Sequence, residues 1–329
     1  MILRRFVKIF AVITSLGAYL MVFLGVLVTN TGSGRGCGNS WPFCHGEIIP
    51  GALTIQGVTE YSHRISAGLD TMLVAILVVS ALWLYRKDFR IKLFSGLSVL
   101  FLLLQAALGA LTVMYEGKWE LAWLLSVHFG LSLIAFTGIV LLTVRIFQLD
   151  STKPATNRAG LISKLQWPVL GLIIYTYLVV YSGALVDHTG AVAACGYQLL
   201  GCGSTILPGF TTLAGIQVLH RYAAGLLYLL TLALLVLVAR RYRERRDVYV
   251  AAWWAFILIN LQALTGALNV LTIGQLLPVI AHTTLITIYF TVLCYICMQI
   301  GWPGSKERAI ADPVSAEQPV EVDVASAKA

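Results

Sequence analysis

Charge is scarce in this chain. Of its 329 residues, 12% are Asp, Glu, Lys or Arg and 58% are hydrophobic. A charged surface cannot be wrapped around an apolar core with that composition, so an ordinary soluble domain is excluded. Acidic residues are scarcer still, 15 against 23 Lys and Arg. In a soluble protein the resulting net charge of +8 would hint at nucleic acid, but here the positions of the basic residues say more than their sum. No Arg- and Ser-rich leader opens the sequence, and no small-residue cleavage site follows the first apolar run, so that run is expected to be retained.

Long apolar runs fill the space that charge leaves. With a mean hydropathy of +0.83, the pattern predicts eight membrane spans, at about 6–29, 61–85, 93–114, 121–147, 165–187, 215–239, 249–272 and 278–302. Basic residues gather in alternate connections. They are Arg4, Arg5 and Lys8, then Arg86, Lys87, Arg90 and Lys92, then Arg145, Lys153, Arg158 and Lys164, then Arg240, Arg241, Arg243, Arg245 and Arg246. The intervening loops hold few, Arg35 and Lys118 among them. The positive-inside rule therefore predicts cytoplasmic termini, with residues 30–60 and 188–214 outside. A bacterial inner membrane is the default location.

The marked residues recur at an offset of 154 to 158. Cys37 and Cys44 return as Cys195 and Cys202, Thr31-Gly32 as Thr189-Gly190, and His63-Arg64 as His220-Arg221. The run from Gln105 through Gly109 to Val113 returns from Gln262 through Gly266 to Val270, and His128 returns as His282. Polar residues repeated in or beside membrane spans imply a duplication. The expected architecture is an all-α membrane protein of two four-helix bundles related by a pseudo-twofold axis along the membrane normal. The expected bundles are residues 1–149 and 165–304, joined by a cytoplasmic linker at 150–164 and followed by a disordered tail at 305–329.

Each unit contributes two histidines near the expected outer ends of its second and fourth spans. Two imidazoles at similar depth on separate helices can ligate a haem from both sides, so His63 with His128 and His220 with His282 are candidate axial pairs. A lone membrane histidine is more often a packed polar residue, but four at repeated positions favour ligation. No cysteine stands at ligand spacing beside either pair, which argues against zinc or copper. Arg64 and Arg221 could reach haem propionates or snorkel to headgroups. Gln105 and Gln262 are explained equally by helix packing and by cofactor contact. His45 and His188 fail the repeat and are expected in solvated loops.

The halves differ at Glu60, which faces Gln217 three residues before the histidine. If helix includes Glu60, its carboxyl shares a face with His63 and could exchange protons beside a haem. Four of the six cysteines lie in the two outer loops. Disulfides Cys37–Cys44 and Cys195–Cys202 are expected because the duplication repeats the pair, either as staples or for thiol exchange. Cys294 and Cys297 read as apolar packing.

The stretch Thr29-Asn30-Thr31-Gly32-Ser33-Gly34-Arg35-Gly36-Cys37-Gly38 with Trp41-Pro42-Phe43-Cys44-His45-Gly46 resembles the first outer loop of haem A synthases. So do Glu60-x-x-His63-Arg64, Thr189-Gly190-Ala191 and the later histidines, and the similarity runs over about residues 6–302. The resemblance implies an oxidoreductase that converts the C8 methyl of haem O to the formyl of haem A through hydroxymethyl and gem-diol stages. It implies that His63 and His128 hold the substrate haem, that Glu60 assists, and that His220 and His282 hold a haem b that passes electrons. Two axial histidines leave no iron position for oxygen, so a ligand must leave or the oxidation must proceed without oxygen on that iron. The implied partners are haem O, an electron donor the residues do not identify, haem O synthase and cytochrome oxidase assembly factors; no nucleic acid is expected. Rival readings are a dihaem b-type cytochrome drawing electrons from quinol, a membrane thiol-disulfide oxidoreductase, and a transporter of two parallel repeats.

Overall fold

The computed structural model describes residues 2–51, 53–114, 118–150, 162–209 and 211–303. Its helices are α1 (Ile2–Asn30), α2 (Ile55–Leu84), α3 (Phe89–Met114), α4 (Lys118–Leu149), α5 (Ser163–His188), α6 (Leu213–Arg241), α7 (Arg246–Leu271) and α8 (Leu276–Ile300), with a 3-10 turn at Ala191–Ala193. All eight are long and apolar enough to cross a bilayer, and each matches one expected span, with those of α2, α7 and α8 overrunning the helix end by one or two residues. Most of the expected linker, residues 151–161, and the whole expected tail, 305–329, lie outside the described residues.

Each half closes into a four-helix bundle. Helices α1 to α4 pack in sequence and α4 returns against α1; α5 to α8 repeat the circuit. The bundles meet through α4–α5, α1–α8 and α4–α8. Exchanging the halves turns the first of these contacts into the second and the third into itself, which is a pseudo-twofold arrangement. Apolar side chains fill two cores, one including Val74, Leu77, Ile139 and Leu142, the other Leu227, Val238, Leu258 and Leu293. Large apolar side chains such as Leu103, Val79 and Leu229 remain exposed on the outside of the bundles, as a lipid solvent permits.

The two ends of the bundles differ in chemistry. At the end where α1 begins and α8 finishes, Asp150 accepts Arg4 at 3.2 Å, Lys8 at 3.4 Å and the Tyr85 hydroxyl at 2.9 Å. Nearby, Arg145 Nη2 meets Asp88 Oδ2 at 2.5 Å. Burial pushes the Asp88 carboxyl up, but bonds from Arg145 and the Ile91 N–H, with the charges of Arg145 and Arg90, hold it below the usual carboxylate value.

The opposite end, here the loop end, carries the two cysteine loops. Helix α2 begins at Ile55, earlier than its apolar run, because the Thr54 hydroxyl accepts the Gly57 N–H at 3.1 Å. Thr212 caps α6 through Gly215 at 3.0 Å. The first loop lies hard against this start: a Cβ on Gly36 would stand 2.4 Å from the Gln56 carbonyl. Both disulfides form within their loops, Cys37–Cys44 and Cys195–Cys202, as the duplication predicts. His45 takes a left-handed backbone (φ 54°) where its counterpart Gly203 has φ 66°. Its ring is in an exposed loop, as expected, and contacts the Gly36 carbonyl at 3.1 Å.

Candidate functional site

The helices that carry His63, His128, His220 and His282, namely α2, α4, α6 and α8, all begin at the loop end. Each histidine falls within ten residues of its helix start, so all four lie within about 15 Å of that end along their axes. His63 and His128 thus share one level of the first bundle, and His220 and His282 one level of the second.

Every one of these rings lies against a glycine of the preceding helix. A Cβ built on the glycine would approach the ring Cε1 to 3.6 Å for Gly25 and His63, and to 3.5 Å for Gly109 and His128. The distances shrink to 2.8 Å for Gly183 and His220 and 3.1 Å for Gly266 and His282. A flat ring edge against a helix needs the space that a missing side chain leaves, and four such notches at repeated positions form a built cradle.

The second half carries further features that suit a haem. Arg221 donates Nη1 to the Gly201 carbonyl at 3.1 Å, while its buried Nε and Nη2 find no protein partner. Those two N–H groups form the side-on fork that matches a carboxylate such as a propionate. Gln217, 1% exposed, donates Nε2 to the Val192 carbonyl at 2.8 Å. On the donor set and the cradle, the residues present fit a bis-histidine haem in each bundle.

The first half handles the same positions differently. Glu60 lies within α2 and is 4% exposed. Its Oε2 accepts the Cys37 N–H at 2.8 Å, and its Oε1 accepts Arg64 Nη2. Arg64 Nη1 donates to the carbonyls of Ser40 and Phe43 at 2.6 and 2.7 Å. Arg64 therefore ties Glu60 to the disulfide loop, a role the sequence did not suggest for it. The pair lies one turn from His63, so the carboxylate is fixed rather than solvated.

Two buried groups escaped the sequence reading. His188 is not a solvated loop residue: it is the last residue of α5, its side chain is 10% exposed, and it stands 4.0 Å from Asp187. Asp187 in turn accepts Asn30 of α1 at 3.2 Å, and His188 interacts electrostatically with His128 of the other bundle. The contact depends on how the bundles dock, which single-chain periodicity does not encode. Asp70 is 5% exposed with an unpartnered Oδ1, 2.6 Å from where a Gly17 Cβ would stand. An acidic residue inside an apolar run was the available signal.

Two apposed four-helix bundles, each enclosing a histidine pair against glycine notches, define a membrane protein with two haem-compatible sites at one end. The chain belongs to the cytochrome oxidase assembly protein family, whose pattern it matches over residues 8–294. It is similar to heme A synthases of Bacillus mycoides (strain KBAB4) and Bacillus cereus (strain 03BB102). Each is 39% identical over 298 residues, which cover 90% of this chain and 94% of the relative.

Proposed function

We propose that this chain is a haem A synthase, an oxidoreductase of the bacterial inner membrane that takes the C8 methyl of haem O to the formyl of haem A. The reaction passes through hydroxymethyl and gem-diol stages, the latter losing water. Family membership and full-length similarity to heme A synthases support the activity. His63 and His128 hold the substrate haem in residues 1–149, and His220 and His282 hold haem b in residues 165–304. Haem b supplies one-electron storage when bound. The loop end faces outward and both termini face the cytoplasm, a reading supported by the basic residues of the alternate connections. Haem O synthase is the class of enzyme that must supply the substrate.

Glu60 carries the proposal. Removing hydrogen from a methyl carbon requires a proton acceptor near it. The first half has a buried carboxylate one turn before His63, oriented by Cys37 N–H and Arg64; the second half has Gln217, an amide that cannot take that role, bonded to Val192. Arg221, with its open fork, would hold a propionate of haem b. Arg64 acts on substrate through Glu60 and the loop.

The test is extraction and chromatography of haems from protein purified out of cells that make haem O, with Glu60→Gln alongside. Haem b with haem O, haem A or a hydroxylated product is expected in the parent, and loss of the oxidised products with haem b retained in the variant. Two haem b per chain in both samples would overturn the assignment and leave a dihaem electron carrier.

A further inference from the structure

The two histidine pairs are anchored differently at the nitrogen that faces away from the candidate iron. In the second half, the Ser182 hydroxyl lies 2.9 Å from His220 Nδ1 and the Thr265 hydroxyl 3.0 Å from His282 Nδ1. Each hydroxyl has one proton, and in each case a backbone carbonyl takes it. Ser182 donates to Val179 at 2.8 Å, and Thr265 to Leu261 at 3.0 Å and Gln262 at 3.1 Å. With its proton on the carbonyl, the hydroxyl oxygen accepts, which favours the tautomer in which the ring donates from Nδ1 and Nε2 carries the free lone pair. That tautomer is the one needed for ligation through Nε2.

The first half lacks both hydroxyls. Ser182 and Thr265 immediately precede the notch glycines Gly183 and Gly266, and the residues preceding Gly25 and Gly109 are Leu24 and Leu108. Neither leucine can bond a ring, and the buried Nδ1 atoms of His63 and His128 have no hydrogen-bond partner. The Gln105 carbonyl lies near His128 as the Val179 and Gln262 carbonyls lie near His220 and His282, so the repeat shares that feature; what the first half lacks is the hydroxyl, and His128 Nδ1 reaches no partner in hydrogen-bond geometry. The same substitution, hydroxyl to leucine, thus occurs at both rings of one half.

We infer that Ser182 and Thr265 are positioning residues that lock His220 and His282 in the iron-binding tautomer, and that Leu24 and Leu108 leave His63 and His128 unlocked. The second half is thereby built to retain its haem and the first half to accept and release one. A hydrogen bond from Nδ1–H also raises the basicity of the ligating nitrogen, and loss of such a partner weakens metal sites about 10- to 100-fold. The inference rests on the reading of the four histidines as haem ligands and adds why one site turns over its haem and the other does not.

The experiment measures haem b transfer from the purified full-length protein to excess apomyoglobin, with the haem b midpoint potential and low-temperature EPR spectrum recorded beside it. Ser182→Ala and Thr265→Val are expected to speed haem b loss about tenfold or more. They should also move the potential positive, because a less basic imidazole stabilises ferric iron less. Thr265→Ser should restore both values. In the reverse direction, Leu108→Thr should slow loss of the first-half haem by a similar factor. Unchanged haem b loss and potential in Thr265→Val, or no slowing in Leu108→Thr, overturns the inference; if Ser182→Ala does not accumulate, these two decide. His282→Ala separates the two levels. If it leaves the haem b spectrum intact, the ligand reading itself fails; if it abolishes that spectrum while Thr265→Val changes nothing, only the positioning role fails.

Discussion

Thr137 of α4 and Thr291 of α8 occupy equivalent positions in the two repeats, and their hydroxyls meet at 3.0 Å between the bundles. Thr291 also donates to the Thr287 carbonyl at 2.9 Å, so its oxygen is the acceptor for the Thr137 hydroxyl. Interhelical bonds of this kind are worth about 0.6 kcal/mol in membranes. A double-mutant cycle with Thr137→Val and Thr291→Val, read by thermal unfolding in detergent, should give a coupling near that value. The double variant should lose little more than either single one, since both polar partners are then gone.

The glycine notches predict a graded response. An added methyl would stand 2.8 Å from His220 at Gly183, 3.1 Å from His282 at Gly266, and 3.5 and 3.6 Å from the rings at Gly109 and Gly25. Haem content per chain, measured as pyridine haemochrome, should fall most for Gly183→Ala, then Gly266→Ala, and least for Gly25→Ala and Gly109→Ala. Equal loss at all four positions would show that the notches do not act through ring clearance.

The first disulfide should matter to turnover more than the second. Cys37 both closes its loop and donates its N–H to Glu60, while Cys195 has no such link to a carboxylate. Cys37→Ala is expected to reduce haem A formation about tenfold, the scale of a weakened hydrogen bond to a charged group, with haem b content retained. Cys195→Ala should reduce it less. Product chromatography on the two variants compares them directly; a larger loss in Cys195→Ala would contradict the link through Glu60.

Asp88 supplies an acid-dependent contribution to stability. Its folded pKa lies below the ordinary value because Arg145 and the Ile91 N–H outweigh burial. A depressed carboxylate stabilises fully above its unfolded pKa, about 4, and this contribution is lost as pH falls through the folded value. Asp88→Asn should lower the unfolding temperature at pH 7, by the equivalent of about 1 kcal/mol for this partly exposed pair. The gap between variant and parent should narrow at pH 3.

Hydropathy and the repeat were enough to predict eight helices and two bundles, because lipid allows few ways to satisfy a backbone and because copied residues mark copied positions. The same logic paired the loop cysteines and singled out Glu60, His63, His128, His220 and His282. The early start of α2 was hidden, since Thr54 sets it by a cap and not by hydropathy. Arg64 was read toward propionates or headgroups because its loop partners Ser40 and Phe43 are more than twenty residues away in sequence. His188 was misread because the groups around it, His128 and the Asn30 that bonds the adjacent Asp187, belong to the other bundle. Ser182 and Thr265 carried no signal in the sequence, because their hydroxyls gain meaning only from the rings they lie beside.

The contact of α4 with α8 makes the molecule equivalent to a dimer of half-chains joined end to end. In a dimer of identical subunits, any substitution is written into both sites at once. A hydroxyl beside one histidine pair would also stand beside the other, and a carboxylate could not serve one haem alone. Tethering removes that constraint: each pocket can be altered while its twin is left as it was. The covalent join is therefore what permits two unlike pockets, such as the proposed haem O and haem b sites, to sit side by side in one protein.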